Sequence, residues 1–120
     1  MPKILIIDDE IAIFELLASF LTLNGFQVVT ASEGKEALRL ANSEQPNLIL
    51  LDINMPGMDG GDIARELSSH SKTKNIPILF LSAMVTEGEQ TKIHGHEFIS
   101  KLSTEEEILA KIRKTLGLAP

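Results

Sequence analysis

The sequence predicts an α/β fold, a doubly wound five-stranded parallel sheet with helices on both faces. Two observations predict it. Strand-like and helix-like segments alternate five times along the 120 residues, a pattern that favours parallel strands joined by helical crossovers. The strands themselves read as unbroken apolar runs, the mark of a sheet buried on both faces rather than half-solvated. A third observation bears on function, because apolar runs at four places give way directly to a polar residue.

The elements follow in order. KILII, residues 3–7, is the first strand. In the next segment Ile11, Phe14, Leu17 and Leu21 share one helical face. Asn24-Gly25 ends that helix, since glycine adopts the left-handed C′ conformation cheaply. FQVVT, residues 26–30, is the second strand. Ser32 is placed to cap a helix carrying Ala37, Leu38, Leu40 and Ala41, which closes at Pro46. NLILLD, residues 47–52, is the third strand, and a short helix is expected over 61–69. IPILFLS, residues 76–82, is the fourth strand. A weak helical segment over 86–93 precedes the short strand EFIS, 97–100. Ser103 and Glu106 have the S-x-x-E spacing of a capping box, ahead of the stripe Ile108, Leu109, Ile112 and Leu116.

A chain of this length is expected to form one domain over 1–120, and it can bury roughly two thirds of its unfolded surface without a staple. There is no cysteine, which excludes disulfides and thiolate metal sites and fits a reducing, cytoplasmic setting. The formal net charge of −6 argues against the nucleic-acid backbone as a direct partner. No run of about 18 apolar residues is present, so membrane insertion is not expected. The N-terminal MPKILIIDDE lacks the cleavage pattern of a signal peptide.

In open α/β sheets ligands bind beyond the carboxyl ends of the strands. The residues there are Asp8 and Asp9, Asp52, Ser82 and Lys101. Converging carboxylates repel one another, and a hard divalent cation resolves the repulsion. Oxygen ligands without His or Cys point to Mg2+ or Mn2+ rather than Zn2+. A lysine ammonium and a serine hydroxyl would complete a site for a tetrahedral anion. A carboxylate that attacks phosphorus forms an acyl phosphate, so the set suggests phosphoryl transfer. Taken singly, each acid is also a common turn residue at a strand end. It is the falling of all five at strand ends that favours the functional reading.

ILIIDDE, LILLDINMPGMDG, ILFLSA and FISKLS together resemble the receiver domain of bacterial two-component response regulators, in the right order and over nearly the whole chain. The resemblance implies a flavodoxin-like (βα)5 fold with strand order 2-1-3-4-5. It implies that Asp52 is the phosphoacceptor, fed by the phosphohistidine of a sensor histidine kinase or a histidine phosphotransfer protein. Asp9 would bind Mg2+ directly and Asp8 through water, and Asn54 would offer its backbone carbonyl. Ser82 would hydrogen-bond a phosphoryl oxygen, Lys101 would neutralise its charge, and Phe98 would match the aromatic switch. Output would pass to a protein target or a fused output domain. Such a domain is not an enzyme in the ordinary sense, since it catalyses only its own phosphorylation and dephosphorylation. Pro56, Gly57, Gly60 and Gly61 would hold the loop after Asp52.

Two features depart from the family. Leu102 follows Lys101 where proline is usual, and a trans peptide is expected because a cis bond before a non-proline residue costs about 2.5–4 kcal/mol. The interval from Ser82 to Lys101 is shorter than usual and TEGEQTKIHGHE is polar with two glycines, so the fourth helix is expected to be shortened or frayed. Met84, two residues after Ser82, would not orient an attacking water and so favours a longer phosphoryl lifetime. Phe98 also fits plain core packing, and His94–His96 reads as a loop. Two other functions compete. A metal-dependent phosphohydrolase wants a second acid two residues after its nucleophile, where this chain has Asn54. A pseudo-receiver would keep the fold as a protein-interaction module not regulated by phosphorylation.

Overall fold

Five of the apolar runs become parallel strands. The fold is seen in a computed structural model, which describes residues 1–53, 60–82, 92–93 and 96–118, with the backbone alone at 11, 13, 92 and 93. In chain order the elements are β1 (Lys3–Ile7), α1 (Ile11–Leu23), β2 (Gln27–Ala31), α2 (Gly34–Glu44), β3 (Leu48–Asp52), α3 (Gly60–Ser69), β4 (Ile78–Ser82), β5 (Lys92–Ile93), β6 (His96–Ser100) and α4 (Glu105–Leu116). The sheet order is β2-β1-β3-β4-β6-β5. Its five longer strands are mutually parallel and follow the expected 2-1-3-4-5 arrangement, β6 being the fifth. Among the described residues, no helix is long and apolar enough to cross a membrane.

The unbroken apolar runs are explained by burial on both faces. Successive side chains of a strand point to opposite sides, so Ile4 and Ile6 pack on one face while Leu5 and Ile7 pack on the other. The first face also takes Leu48 and Leu50 and is covered by α1 and α4, through Phe14, Leu17, Leu21, Ile108, Leu109 and Ile112. The second takes Ile49, Leu51 and Phe80, and is covered by α2 and α3 through Ala37, Ala41, Ile63 and Leu67. Each fully buried Leu or Ile contributes roughly 1.5–3 kcal/mol relative to exposure.

Register aligns the strand ends. Ile7 pairs with Leu51, Asp52 with Leu81, and Ser82 with Ser100. The ladder runs one step past β1, where the Asp8 N–H donates to the Ala31 carbonyl at 3.1 Å. Asp8, Asp52, Ser82 and Lys101 are thereby brought to the same edge.

Several local expectations shift. β2 begins at Gln27, although Phe26 is still buried, and β4 begins at Ile78, after Pro77 has given its carbonyl to the Ile49 N–H at 3.0 Å. The N-cap of α2 is Glu33, with no side-chain cap bond, rather than Ser32. The buried small residues Gly34, Ala37 and Ala41 set where that helix meets the sheet. Lys92–Ile93 is not helical but a two-residue strand antiparallel to β6. The rest of the expected fourth helix, 86–91, lies outside the described residues, as do Asn54, Pro56, Gly57, Met84 and His94. His96 opens β6 rather than lying in a loop, and its ring meets Phe80 edge-on at 5.7 Å. The Lys101–Leu102 peptide is trans, as expected.

The capping box of α4 sits one residue later than expected, on Thr104 and Glu107. The run STEEE offers both registers. The choice falls to Thr104 because Ser103 is spent in a turn, its N–H donating to the Ser100 carbonyl at 3.0 Å. The Thr104 hydroxyl accepts the Glu107 N–H at 3.1 Å, and the Glu107 carboxylate accepts the Thr104 N–H at 3.0 Å. Replacing Thr104 by Ala is expected to cost about 1 kcal/mol in urea unfolding, whereas Ser103→Ala should stay within about 0.5 kcal/mol. The reverse order would put the cap back on Ser103.

The hydrogen bond from the Thr104 backbone, with the Thr104 side chain behind it, holds the Glu107 carboxyl below its usual range. A depressed folded-state value means the contribution is fully present above the carboxyl's ordinary pKa and is lost as pH falls through the folded value. Glu107→Gln should therefore flatten the acid limb of stability, checked by urea midpoints across an acidic pH series.

Candidate functional site

The backbone builds the site at the point where strand order reverses. β1 lies between β2 and β3, so the connection from β1 runs to one side and that from β3 to the other, and the carboxyl ends of β1 and β3 face the resulting crevice. Asp8 directly follows β1, and Asp52 ends β3. Both continue the parity of the strand residues that face α1 and α4, as does Lys101 after Ile99. Ser82 has the parity of the other face.

The three charged groups meet. Asp8 is fully buried, Asp52 is 3% exposed and Ser82 is 1% exposed. The Lys101 ammonium lies 3.2 Å from Asp8 Oδ2, 3.2 Å from Asp52 Oδ2 and 3.1 Å from Glu10 Oε1. Its loop is anchored by the Lys101 N–H, which donates to the Ser82 carbonyl at 2.7 Å, and by the Ser100 hydroxyl, which accepts the Leu102 N–H at 3.1 Å. Burial by itself would lower the Lys101 pKa. The Glu10 hydrogen bond and the charges of Asp8 and Asp52 outweigh it and raise the pKa above its ordinary value. The ammonium thus stays charged throughout the neutral range.

Asp8 uses its two oxygens differently. Oδ1 accepts the Glu10 N–H at 2.9 Å, a local turn bond that orients the carboxylate. Oδ2 is buried and faces Lys101 as an ion pair without a well-directed hydrogen bond. A buried carboxylate oxygen left in that state is suited to a cation. Asp8, Asp9, Glu10 and Asp52 each place an oxygen within 4.8 Å of the others. This all-oxygen set fits a hard divalent ion such as Mg2+.

The fold brings together Asp8, Asp9, Asp52 and Lys101 from the sequence-derived set, with Ser82 at the neighbouring strand end. Phe98 belongs to the sheet face opposite the one whose parity Asp8 and Asp52 continue. It is half-buried, paired in register with Phe80 and packed against the core layer under α2 and α3. Glu10 is the residue that sequence reasoning missed. The signal was the third acid of the run DDE, which falls at the N-cap of α1.

Gly60 closes the frame behind Asp52. Its N–H donates to the Ile53 carbonyl at 3.1 Å. A Cβ there would sit 2.7 Å from the Asp52 carbonyl oxygen and 2.8 Å from Ile53 Cα. Both obstacles are backbone, so α3 starts against the acid's own strand only because residue 60 has no side chain. Gly60→Ala is expected to destabilise the domain by about 1–3 kcal/mol in urea unfolding, the usual range for overpacking. An unchanged midpoint would show that the strand end can yield.

A parallel sheet of this order, carrying acids and a lysine at its carboxyl edge, defines the receiver class of signalling domain. Residues 4–113 match the response regulator receiver domain, and the chain belongs to that family. It is 38% identical over 122 residues to the DNA-binding dual master transcriptional regulator RpaA of Synechocystis, covering 97% of this chain and 49% of that protein. It is 37% identical over 117 residues to the probable transcriptional regulator ycf27 of Cyanophora paradoxa, covering 95% of this chain and 48% of the other. The chain thus spans about half the length of these curated relatives. In structure it is similar to the chemotaxis protein CheY4 of Vibrio cholerae, with a TM-score of 0.85 and 30% identity, covering 95% of this chain and 98% of the other.

Proposed function

We propose that this receiver domain, a single unit over residues 1–120, is a phosphoacceptor switch. Asp52 takes a phosphoryl group from the phosphohistidine of a sensor histidine kinase or a histidine phosphotransfer protein. The observation that carries the reading is the Lys101 ammonium, held 3.2 Å from the buried Asp52 carboxylate at a strand end that faces the crevice. In the transfer, an Asp52 carboxylate oxygen attacks phosphorus. A P–O bond forms as the P–N bond to the imidazole breaks, and the departing imidazole keeps or gains the proton that makes it neutral. Charge on the transferred group is spread over oxygens, so positioning and electrostatic stabilisation do most of the work.

Lys101 supplies one fixed positive charge. The Ser82 hydroxyl, at the end of the adjoining strand, is the donor for a phosphoryl oxygen, and Ser82 with Phe98 forms the switch pair. Asp8, Asp9, Asp52 and the backbone carbonyl of Asn54 would hold Mg2+, with Mn2+ a chemical equivalent. When bound, the ion supplies further positive charge against the phosphoryl oxygens. Output passes to a downstream protein or an attached output segment, a role suggested by relatives that are named transcriptional regulators and are about twice as long. The net charge of −6 argues against nucleic-acid contact by these 120 residues themselves.

Intact mass after incubation with Mg2+ and acetyl phosphate tests the reading. The parent chain is expected to gain one phosphoryl group, and Asp52→Asn none. If neither gains mass, and beryllofluoride leaves the parent's amide spectrum unmoved, the chain is instead a pseudo-receiver that binds its partner without phosphorylation.

A further inference from the structure

Glu10 belongs to the acidic cluster but is neither the phosphoacceptor nor one of the Mg2+ ligands in the proposed function. Its backbone is the N-cap of α1, yet its side chain makes no cap bond. It turns instead to Lys101, 91 residues away in sequence, and accepts a hydrogen bond from the ammonium at 3.1 Å. The three acids around that ammonium are not equivalent. The Asp8 and Asp52 side chains are 0% and 4% exposed, whereas Glu10 is 55% exposed. Both buried carboxylates also belong to the acidic set that could hold a divalent cation. Lys101 contacts them through Asp8 Oδ2 and Asp52 Oδ2, so ammonium and dication would draw on the same two carboxylates. Glu10 lies on the solvent side of that competition.

We propose that Glu10 is a positioning residue for Lys101, an outer counter-ion that holds the ammonium while it withdraws from Asp8 and Asp52 to admit a divalent cation. The inference rests on the phosphoacceptor reading for the presence of that cation. The ammonium has three N–H bonds and three carboxylate oxygens at 3.1–3.2 Å. Giving up the two buried contacts would leave it without a partner at the rim of a mostly buried pocket, and Glu10, the most exposed of the three acids it touches, supplies one. Glu10 remains able to release Lys101 in turn, because its own carboxylate is solvated and loses little on separation. With Glu10 removed, Lys101 binds the inner pair alone and opposes the cation more strongly.

The alternative is that Glu10 acts on the cation directly, as a ligand or through its charge. A double-mutant cycle separates the two. Mg2+ titrations followed by amide NMR would be run on the parent chain, Glu10→Gln, Lys101→Met and the double variant. Glu10→Gln is expected to weaken Mg2+ binding by about three- to tenfold, and to change it by less than about twofold when Lys101 is already Met, a coupling of ordinary size for residues in contact. Lys101→Met alone should tighten binding. Equal weakening in both backgrounds, no weakening in either, or no Mg2+ binding by the parent chain would overturn the proposal. Amide dispersion in the same spectra reports folding, and Lys101→Gln replaces Lys101→Met if the methionine perturbs it. A chain that binds Mg2+ with this coupling but gains no phosphoryl mass would refute the phosphoacceptor reading alone.

Discussion

The site depends on one constraint, namely that like charges cannot be gathered at a buried edge without a counter-charge. β1 and β3 deliver Asp8 and Asp52 into the crevice, both almost fully buried. Two ionised carboxylates so placed are strongly unfavourable unless paired. Lys101 supplies the pairing and touches both. It arrives from the opposite end of the chain, so the charge balance of the edge also ties β6 to β1 and β3. In the proposed phosphoryl transfer, the same contact that makes the acids tolerable in the folded chain would present a positive charge where negative charge accumulates.

The apolar frame makes that balance positional. Layers on each side of the sheet hold the strands in a register that leaves little freedom at their ends. Gly60 adds a backbone restraint by allowing α3 to begin against the Asp52 carbonyl. Such rigidity suits the proposed phosphoacceptor, a group that must be fixed before reaction.

The edge also shows how a family pattern tolerates change. Leu102 stands where proline is usual, and the residue is 75% exposed. The turn it belongs to is held by other bonds, from the Lys101 N–H to Ser82 and from the Leu102 N–H to the Ser100 hydroxyl. Lys101 still reaches both buried acids. The placement of this ammonium therefore does not require a proline after it, because backbone hydrogen bonds to β4 and within β6 fix where the chain leaves the sheet.

The sequence by itself determined the elements and their facing. KILII, LILLD and ILFLS are legible as strands buried on both sides because each is a short apolar run alternating with helical segments, and each polar residue that ends such a run marks the crevice edge. Phe14, Leu17 and Leu21 identified the buried face of α1 by spacing alone. Tertiary structure decided what local pattern leaves degenerate. Two overlapping capping boxes before α4 could not be told apart until the turn after β6 had consumed Ser103. Ser32 looked like a cap, but α2 starts one residue later, behind Glu33, with Gly34 and Ala37 buried. The two-residue β5 exists only because β6 offers it an edge. Glu10 could be seen in the sequence as one more acid after a strand, but not as a partner of Lys101. That contact joins residues 91 positions apart, and no periodicity in the chain encodes a meeting that only the closed sheet brings about.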